Sequence, residues 1–347
     1  MKHILVTGGA GFIGSNFIPY MLEKYPDYFI INIDALTYAG DENNVRLTDS
    51  QKDRYKFVHG NICDEELVNM LFKEYDIRGV FHFAAESHVD NSIKGPKVFF
   101  ETNVIGTYNV IHAAKTQWMT DPFTFKEGYE NCRFHHVSTD EVYGTLGETG
   151  LFSETTPYAP NPPYAASKAG ADFVVRSYFH TFGMPVTISN CSNNYGPNQH
   201  DEKFIPTVIR SCLNGKNIPI YGEGKNIRDW LYVLDHGKAL DLVFHTGKCG
   251  ETYNIGCWNE RTNNEIVHLI CEILNEVKPA EKPYQELISY VKDRAGHDMR
   301  YAIDSTKIEN ELGWKPEAKF EDALKETIKW YIEKYENQLH SGHRQSA

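Results

Sequence analysis

The residues HILVTGGAGFIG, positions 3–14, constrain this chain more than any other stretch. A short β-rich apolar run, HILVTG (3–8), leads at once into glycines and then an amphipathic stretch to about Lys24. Strand, glycine-rich turn and helix in that order are the context that a phosphate-binding turn requires. Gly8, Gly11 and Gly14 are spaced GxxGxxG. The first permits a tight turn, the second lets the backbone approach a pyrophosphate, and the third lets helix and strand pack closely. The helix start, with Phe12 and Ile13, then offers free N–H groups and a positive dipole end to phosphates. A second apolar run, YFIINID (28–34), ends in Asp34, 20 residues beyond Gly14. An acid at that distance receives the two ribose hydroxyls of NAD and repels the extra phosphate of NADP. Ala35 and Leu36 follow it, with no arginine directly after, which favours NAD. A plain tight turn and a capping aspartate would use the same residues without a ligand, so the rest of the chain decides.

The alternation continues. YKFVHG (55–60), GVFHFAA (79–85), CRFHHVS (132–138) and PVTISNC (185–191) read as strands, and residues 96–116 and 164–182 as long helices. Six strands with apolar interiors, separated by helices, predict an α/β fold with a doubly wound parallel Rossmann-type sheet. After Cys191 the texture turns polar and turn-rich, NNYGPNQHDEKF, with short strands such as PIYG (219–222) and ETYNIG (251–256) among helices. This half reads as a smaller mixed α/β substrate domain closing over the strand C-termini, where ligands of such sheets bind. The expected division is an NAD-binding domain over 1–191 with a returning segment near 230–256, a substrate domain over 192–339, and a frayed tail over 340–347.

Bulk properties exclude several classes. A net charge of −12 disfavours general affinity for nucleic acid or an anionic membrane. No run approaches the ~18 apolar residues of a membrane span, and MKHILVTGG lacks the form of a signal peptide. The seven cysteines, at 63, 132, 191, 212, 249, 257 and 271, are scattered and never form CxxC. Neither a disulfide framework nor a metal site is expected, and buried thiols fit a reducing, cytoplasmic compartment.

The chemistry concentrates between FHHVSTDEVYG and PYAASKAGAD. An apolar run ends in Ser138-Thr139, and the adjacent carboxyls Asp140 and Glu141 follow. Tyr164 and Lys168 stand four apart on one helix face. Tyr-x-x-x-Lys also occurs at Tyr20/Lys24 and Tyr221/Lys225, but only Tyr164 follows a strand ending in Ser-Thr. An alcohol being oxidised must lose its O–H proton as hydride leaves carbon. Tyrosine, with a pKa near ~10, is a poor base at neutral pH. A nearby ammonium and a positive nicotinamide ring would favour its phenolate, while Thr139 would bond the reacting hydroxyl. Asp140 and Glu141 are surplus to simple oxidation. Dehydration needs an acid for the departing hydroxyl and a base for a carbon-bound proton, and two carboxyls in different environments can divide those tasks. A helix-capping acidic pair is the bland alternative.

GGAGFIG, Asp34, NVIGT (103–107), Ser138-Thr139 and Tyr164/Lys168 together resemble the extended short-chain dehydrogenase/reductase superfamily. Within it, STDEVYG, AAESHVD, SNCSNNYGP, IRDWLYV and RAGHDMRYAID are similar to the dTDP-glucose 4,6-dehydratase family, from Lys2 to about Tyr331. The resemblance implies oxidation of dTDP-glucose at C4, elimination of water across C5–C6, and hydride return to C6, giving dTDP-4-keto-6-deoxyglucose. Tyr164 would take the C4 hydroxyl proton, Glu141 the C5 proton, and Asp140 would protonate the leaving C6 hydroxyl. NAD contacts are implied at the glycine turn and at Asp34, Leu36 and Thr37, then at Asn61, Ile62, Ala84, Ala85, Ser87 and Thr102. Tyr164, Lys168 and Asn190 complete them.

For the substrate, the resemblance assigns Arg228 and Arg294 to the diphosphate, where bidentate guanidinium recognition is apt. Asn193, Lys203, Asn263 and His297 are further contacts, with Phe204, Pro219 and Tyr221 beside them, and Ser87 and Thr139 toward the sugar. Three positions depart from the commonest pattern: Asn61 stands for Asp, Asn91 for Arg and Ala295 for Pro. A homodimer is implied, with helices near 96–116 and 164–182 forming the intersubunit bundle. The rivals are a UDP-sugar 4,6-dehydratase, a 4-epimerase, and a non-catalytic nucleotide-binding regulator. Asp140-Glu141 argues against the epimerase, and the intact glycine turn and Tyr164/Lys168 argue against the regulator.

Overall fold

The computed structural model describes residues 1–293 and 297–342. Seven strands form one parallel sheet: β1 (Lys2–Thr7), β2 (Tyr28–Asp34), β3 (Tyr55–His59), β4 (Ile77–His82), β5 (Arg133–Thr139), β6 (Val186–Cys191) and β7 (Thr252–Ile255). Their order is β3-β2-β1-β4-β5-β6-β7. The chain therefore reverses direction across the sheet between β1 and β4, the switch point beside which ligands of such sheets bind. The six strands expected before Cys191 are all present. The seventh comes from ETYNIG, whose Thr252 pairs with Ile188 and Ile255 with Cys191.

Eight longer helices complete the frame: α1 (Phe12–Lys24), α2 (Glu65–Glu74), α3 (Thr107–Trp118), α4 (Pro163–Phe182), α5 (Phe204–Leu213), α6 (Val233–Thr246), α7 (Asn263–Val277) and α8 (Phe320–Gly342). Strand residues are apolar on both faces because both faces are covered. α1 and α6 bury Phe17, Met21, Leu240 and Phe244 against one face. On the other, Leu71, Trp118 and Val175 from α2, α3 and α4 meet Phe134 of β5. Each such side chain stabilises the fold by about 1.5–3 kcal/mol.

A buried carboxylate fastens α1 to α6. Asp241 accepts hydrogen bonds from Tyr20 Oη at 2.8 Å, Lys24 Nζ at 2.6 Å and Tyr25 Oη at 2.8 Å. His245 Nδ1 lies 2.8 Å from its other side. Burial alone would push the Asp241 pKa up, but His245, Lys24 and the two tyrosines outweigh it and hold it at about 2. The Tyr20/Lys24 pair is thus a helix clamp.

The helix expected over 96–116 runs from Lys97 to Trp118, with a π-helical stretch at Glu101–Gly106. Asn103 explains it. Its Oδ1 accepts from the Glu86 N–H at 2.8 Å, while Nδ2 donates to the Glu86 carbonyl at 3.0 Å and to Ser167 Oγ at 2.8 Å. The wider turn brings one side chain into contact with both the loop after β4 and helix α4, a common use of such turns near functional sites.

The remaining residues build a second layer. α5, α7 and α8 enclose Ile209, Ile220, Trp230, Ile270 and Leu324. Ile218–Tyr221 pairs in parallel with Ile288–Val291, and Ile227–Tyr232 lies between Asn193–Tyr195 and Glu260–Thr262. α8 continues to Gly342, into the stretch expected as tail; residues 343–347 lie outside the described ones.

Candidate active site

The glycine turn crosses the loop after β4 with no room for side chains. Gly8 has φ +71°, and a Cβ there would sit 2.7 Å from the backbone N of Ala84. A Cβ at Gly14 would meet Gly9 Cα at 2.5 Å, so α1 begins directly against the turn. At Gly11 the nearest atom is Gly8 O at 3.3 Å, and this glycine borders the open cleft. Asp34 is fixed at the end of β2: its carboxylate accepts from Ala10 N–H and Leu36 N–H, each at 2.9 Å.

A cleft of about 390 Å³ opens over the C-terminal ends of β1, β4 and β5. It is lined by the glycine turn with Phe12 and Ile13, by Asp34 and Thr37, by Asn61 and Ile62, by Ala84, Ala85, Ser87 and Thr102, and by Tyr164 and Lys168. Two expected cofactor contacts are not on its wall. Leu36, at φ +47°, serves Asp34 through its backbone. Asn190 is fully buried within β6, donating to Tyr143 Oη at 2.8 Å and Tyr158 Oη at 3.2 Å.

A second cleft of about 280 Å³ adjoins the first at Ser87, Glu141, Asn193 and Lys203. Phe204, Pro219, Tyr221, Arg228, Asn263 and His297 line it, together with His88, Asp90, Glu202 and Tyr301, which sequence reasoning missed. Arg294 and Ala295 lie outside the described residues. Arg228 is buried over the Tyr301 ring at 4.3 Å and donates to the carbonyls of Ile227 at 2.7 Å and Asp298 at 2.9 Å. Lys203 donates to the Ser87 carbonyl at 3.0 Å, joining the two halves across the clefts. Of the third Tyr-x-x-x-Lys pair, Tyr221 reaches the cleft while Lys225 pairs with Glu223 on the surface.

The acid–base groups converge where the clefts meet. β5 ends at Thr139, whose Oγ1 accepts from the Glu141 N–H at 3.3 Å and so caps a tight turn over Asp140–Tyr143. The turn separates the two carboxyls. Asp140 is buried, and burial, then the neighbouring Glu141 charge, push its pKa well above the ordinary range. Glu141 is partly exposed and borders both clefts.

Tyr164 and Lys168 rise from α4 into the first cleft, as their spacing predicts. The expected easing of Tyr164 toward phenolate is not what this arrangement does by itself. Burial, then the charge of Glu141, push its pKa well above the ordinary value. The Lys168 ammonium meanwhile donates to the Val137 carbonyl at 2.8 Å, and burial pulls its own pKa down.

A residue not anticipated lies one turn further along α4. Asp172 is buried and accepts from Ser138 Oγ at 2.8 Å and Tyr158 Oη at 2.9 Å. His136 Nε2 is 3.1 Å from its other oxygen. Its signal was present in YAASKAGAD, where it stands four residues beyond Lys168.

Comparison with known proteins places this geometry. The family model described as GDP-mannose 4,6 dehydratase matches residues 5–327. The dTDP-glucose 4,6-dehydratase of Escherichia coli is 51% identical over 341 residues, covering 95% of this chain and 92% of the relative. That of Xanthomonas campestris pv. campestris (strain B100) is 51% identical over 330 residues, covering 94% and 92%. The chain belongs to the dTDP-glucose 4,6-dehydratase family.

Solved members of that family agree in three dimensions. The dTDP-glucose 4,6-dehydratase of Streptomyces venezuelae, solved with NAD bound, superposes with a TM-score of 0.86 at 43% identity, covering 96% of this chain and 97% of that one. The UDP-glucose 4-epimerase of Thermotoga maritima shares the architecture at 28% identity, with a TM-score of 0.83 and coverage of 96% and 100%. Among the described residues no helix is long and apolar enough to cross a membrane.

Proposed function

We propose that this chain converts dTDP-glucose to dTDP-4-keto-6-deoxyglucose, with NAD retained as a catalyst. The observation that carries the proposal is the placement of two unlike carboxyls, Asp140 and Glu141, beside Thr139, Tyr164 and Lys168 where the two clefts meet. The first cleft fits NAD: the glycines leave backbone exposed where a pyrophosphate would lie, and Asp34 stands at the ribose position. When bound, NAD supplies a hydride acceptor that is regenerated within each turnover.

The chain's own residues move the protons. Thr139 orients the C4 hydroxyl and Tyr164 takes its proton as the phenolate. Burial and Glu141 by themselves oppose that form, and the Lys168 ammonium and a positive nicotinamide ring would favour it. Lys168 would also hold the nicotinamide ribose. The ketone formed at C4 acidifies C5–H, and Glu141, open to both clefts, removes that proton; after water has left, C5 is protonated again as hydride returns to C6. Asp140, kept protonated by burial, gives its proton to the departing C6 hydroxyl. Arg228 holds the nucleotide diphosphate in the second cleft, with Arg294 assigned to the same end and Lys203, Asn193, Asn263 and His297 as further substrate contacts. Phe204, Pro219 and Tyr221 flank the nucleotide. The division of labour follows the chain: residues 1–191 with a returning segment near 230–256 hold NAD, and 192–339 hold the sugar nucleotide.

The enzyme works as a homodimer. Val98, Phe100, Ile105 and Tyr108 along the 97–118 helix, with Phe173 on α4, form exposed apolar surface suited to a second copy. Ile105 and Phe173 are 53% and 57% exposed. Free thiols throughout the described chain fit a reducing cytoplasm.

The test is product mass after incubation with dTDP-glucose and, separately, UDP-glucose. Loss of water from dTDP-glucose without added reductant is expected; an epimer of unchanged mass overturns the reading, and dehydration of UDP-glucose alone reassigns the base. Glu141→Gln separates the steps, since NADH absorbance should appear while the 4-keto-6-deoxysugar does not.

A further inference from the structure

Lys168 carries a problem that its known partners leave unsolved. An ammonium only 4% exposed, donating to one carbonyl of β5, is costly; lysines buried without a compensating charge titrate near ~5–6. The groups around it offer little relief. From β5, His136 faces it, with His82 of β4 stacked behind at 5.3 Å between ring centroids. Both imidazoles are kept neutral, chiefly by burial and partly by the Lys168 charge itself. Cys191 at the end of β6 is kept a neutral thiol by burial, with Asp140 second. Tyr164 is kept a neutral phenol.

Asp172 differs in degree: burial pushes its pKa up as well, with Lys168 opposing, but only to about 6, so it is ionised at neutral pH. It is four residues along the same face of α4, and its carboxylate is held through one oxygen by Ser138 and Tyr158, while His136 Nε2 lies 3.1 Å from the other without a hydrogen bond. Behind Tyr158 the hydrogen bonds continue through Asn190 to Tyr143 and on to Asn254, so the anion is fixed in place.

We infer that Asp172 is a positioning residue that keeps Lys168 an ammonium by facing it through space from one helical turn away. The inference rests on Lys168 being the cation of the site proposed above. A purely structural role, fastening α4 to β5, would need the hydrogen bonds but not the charge. The geometry separates the two, because Ser138 and Tyr158 both donate to the same oxygen, Oδ2. In Asp172→Asn the amide carbonyl can accept both bonds, and only the charge is lost.

The experiment is an NMR titration of the whole enzyme labelled with ε-¹³C lysine, the Lys168 signal being identified by its absence in Lys168→Arg. Native Lys168 should remain protonated through about pH 8, and in Asp172→Asn its midpoint should fall by at least about one unit, a tenfold change in the proton equilibrium. A folded Asp172→Asn protein with an unmoved midpoint overturns the inference. So does a native Lys168 already neutral at about pH 8, a result that needs no variant and stands even if Asp172→Asn fails to fold. Failure of the proposed activity would show separately, as dTDP-glucose recovered without loss of water.

Discussion

Replacing Asp241 by Asn tests how the helix beneath the glycine turn is held. The carboxylate titrates at about 2 in the fold against 3.8 for an ordinary aspartate. The difference, roughly 1.8 units at ~1.36 kcal/mol per unit, is worth about 2 kcal/mol at neutral pH. The neutral amide can still accept from Tyr20 or Tyr25, and Lys24, half exposed, can turn to water. The lost charge is therefore the main effect, and about 2 kcal/mol of destabilisation is expected at pH 7. Because the folded pKa lies below the unfolded one, this stability is present above about pH 4 and is lost as pH falls toward 2. Urea unfolding of both proteins at one fixed concentration, from about pH 7 down to about pH 3, should show the gap narrowing below about pH 4. A gap that stays constant over that range, or no gap at pH 7, refutes the reasoning.

Gly8→Ala forces a side chain into a left-handed turn against the Ala84 backbone; a cost of about 1–3 kcal/mol and loss of retained NAD after gel filtration are expected, and undiminished NAD content counts against the turn as the cofactor cradle. Asp140→Asn should abolish dehydration while sparing the first oxidation. It should also stabilise the fold at pH 7, since a carboxyl whose folded pKa is raised grows more costly as pH rises above its unfolded value; a destabilised variant contradicts the account. Ile105→Asp with Phe173→Asp should yield monomers in sedimentation velocity, and an unchanged dimer would place the interface elsewhere.

The sheet was legible because its signals are local: apolar runs, the glycine turn, and an acid at the expected distance. Tyr164 and Lys168 were legible through helix spacing. What escaped depended on contacts between distant segments. Asn103 opens a π turn because Glu86 and Ser167 bond it, which no helical periodicity records. Asn190 matched a cofactor position, yet it is buried against two tyrosines from other segments. The direction of the Tyr164 pKa is set by burial, which cannot be read from the presence of a lysine four residues away. Arg228 was expected at a diphosphate, and nothing in IRDWLYV told that its guanidinium is also tied to backbone carbonyls and an aromatic face.

The seventh strand has a bearing on the order of synthesis. β7 is drawn from residues 252–255, and α6, which covers the apolar face of α1, ends only at Thr246. When the ribosome has released residue 191, the N-terminal half has six strands, an unpaired edge at β6, and an α1 that lacks the cover of α6. Domains usually settle in the order in which they emerge; here only the first part of the second half, up to Tyr232, emerges before the sheet receives its last strand. A nascent chain therefore carries every residue that lines its cofactor cleft once Lys203 has emerged, while the strand that closes the sheet edge and the helix that covers α1 are still to come.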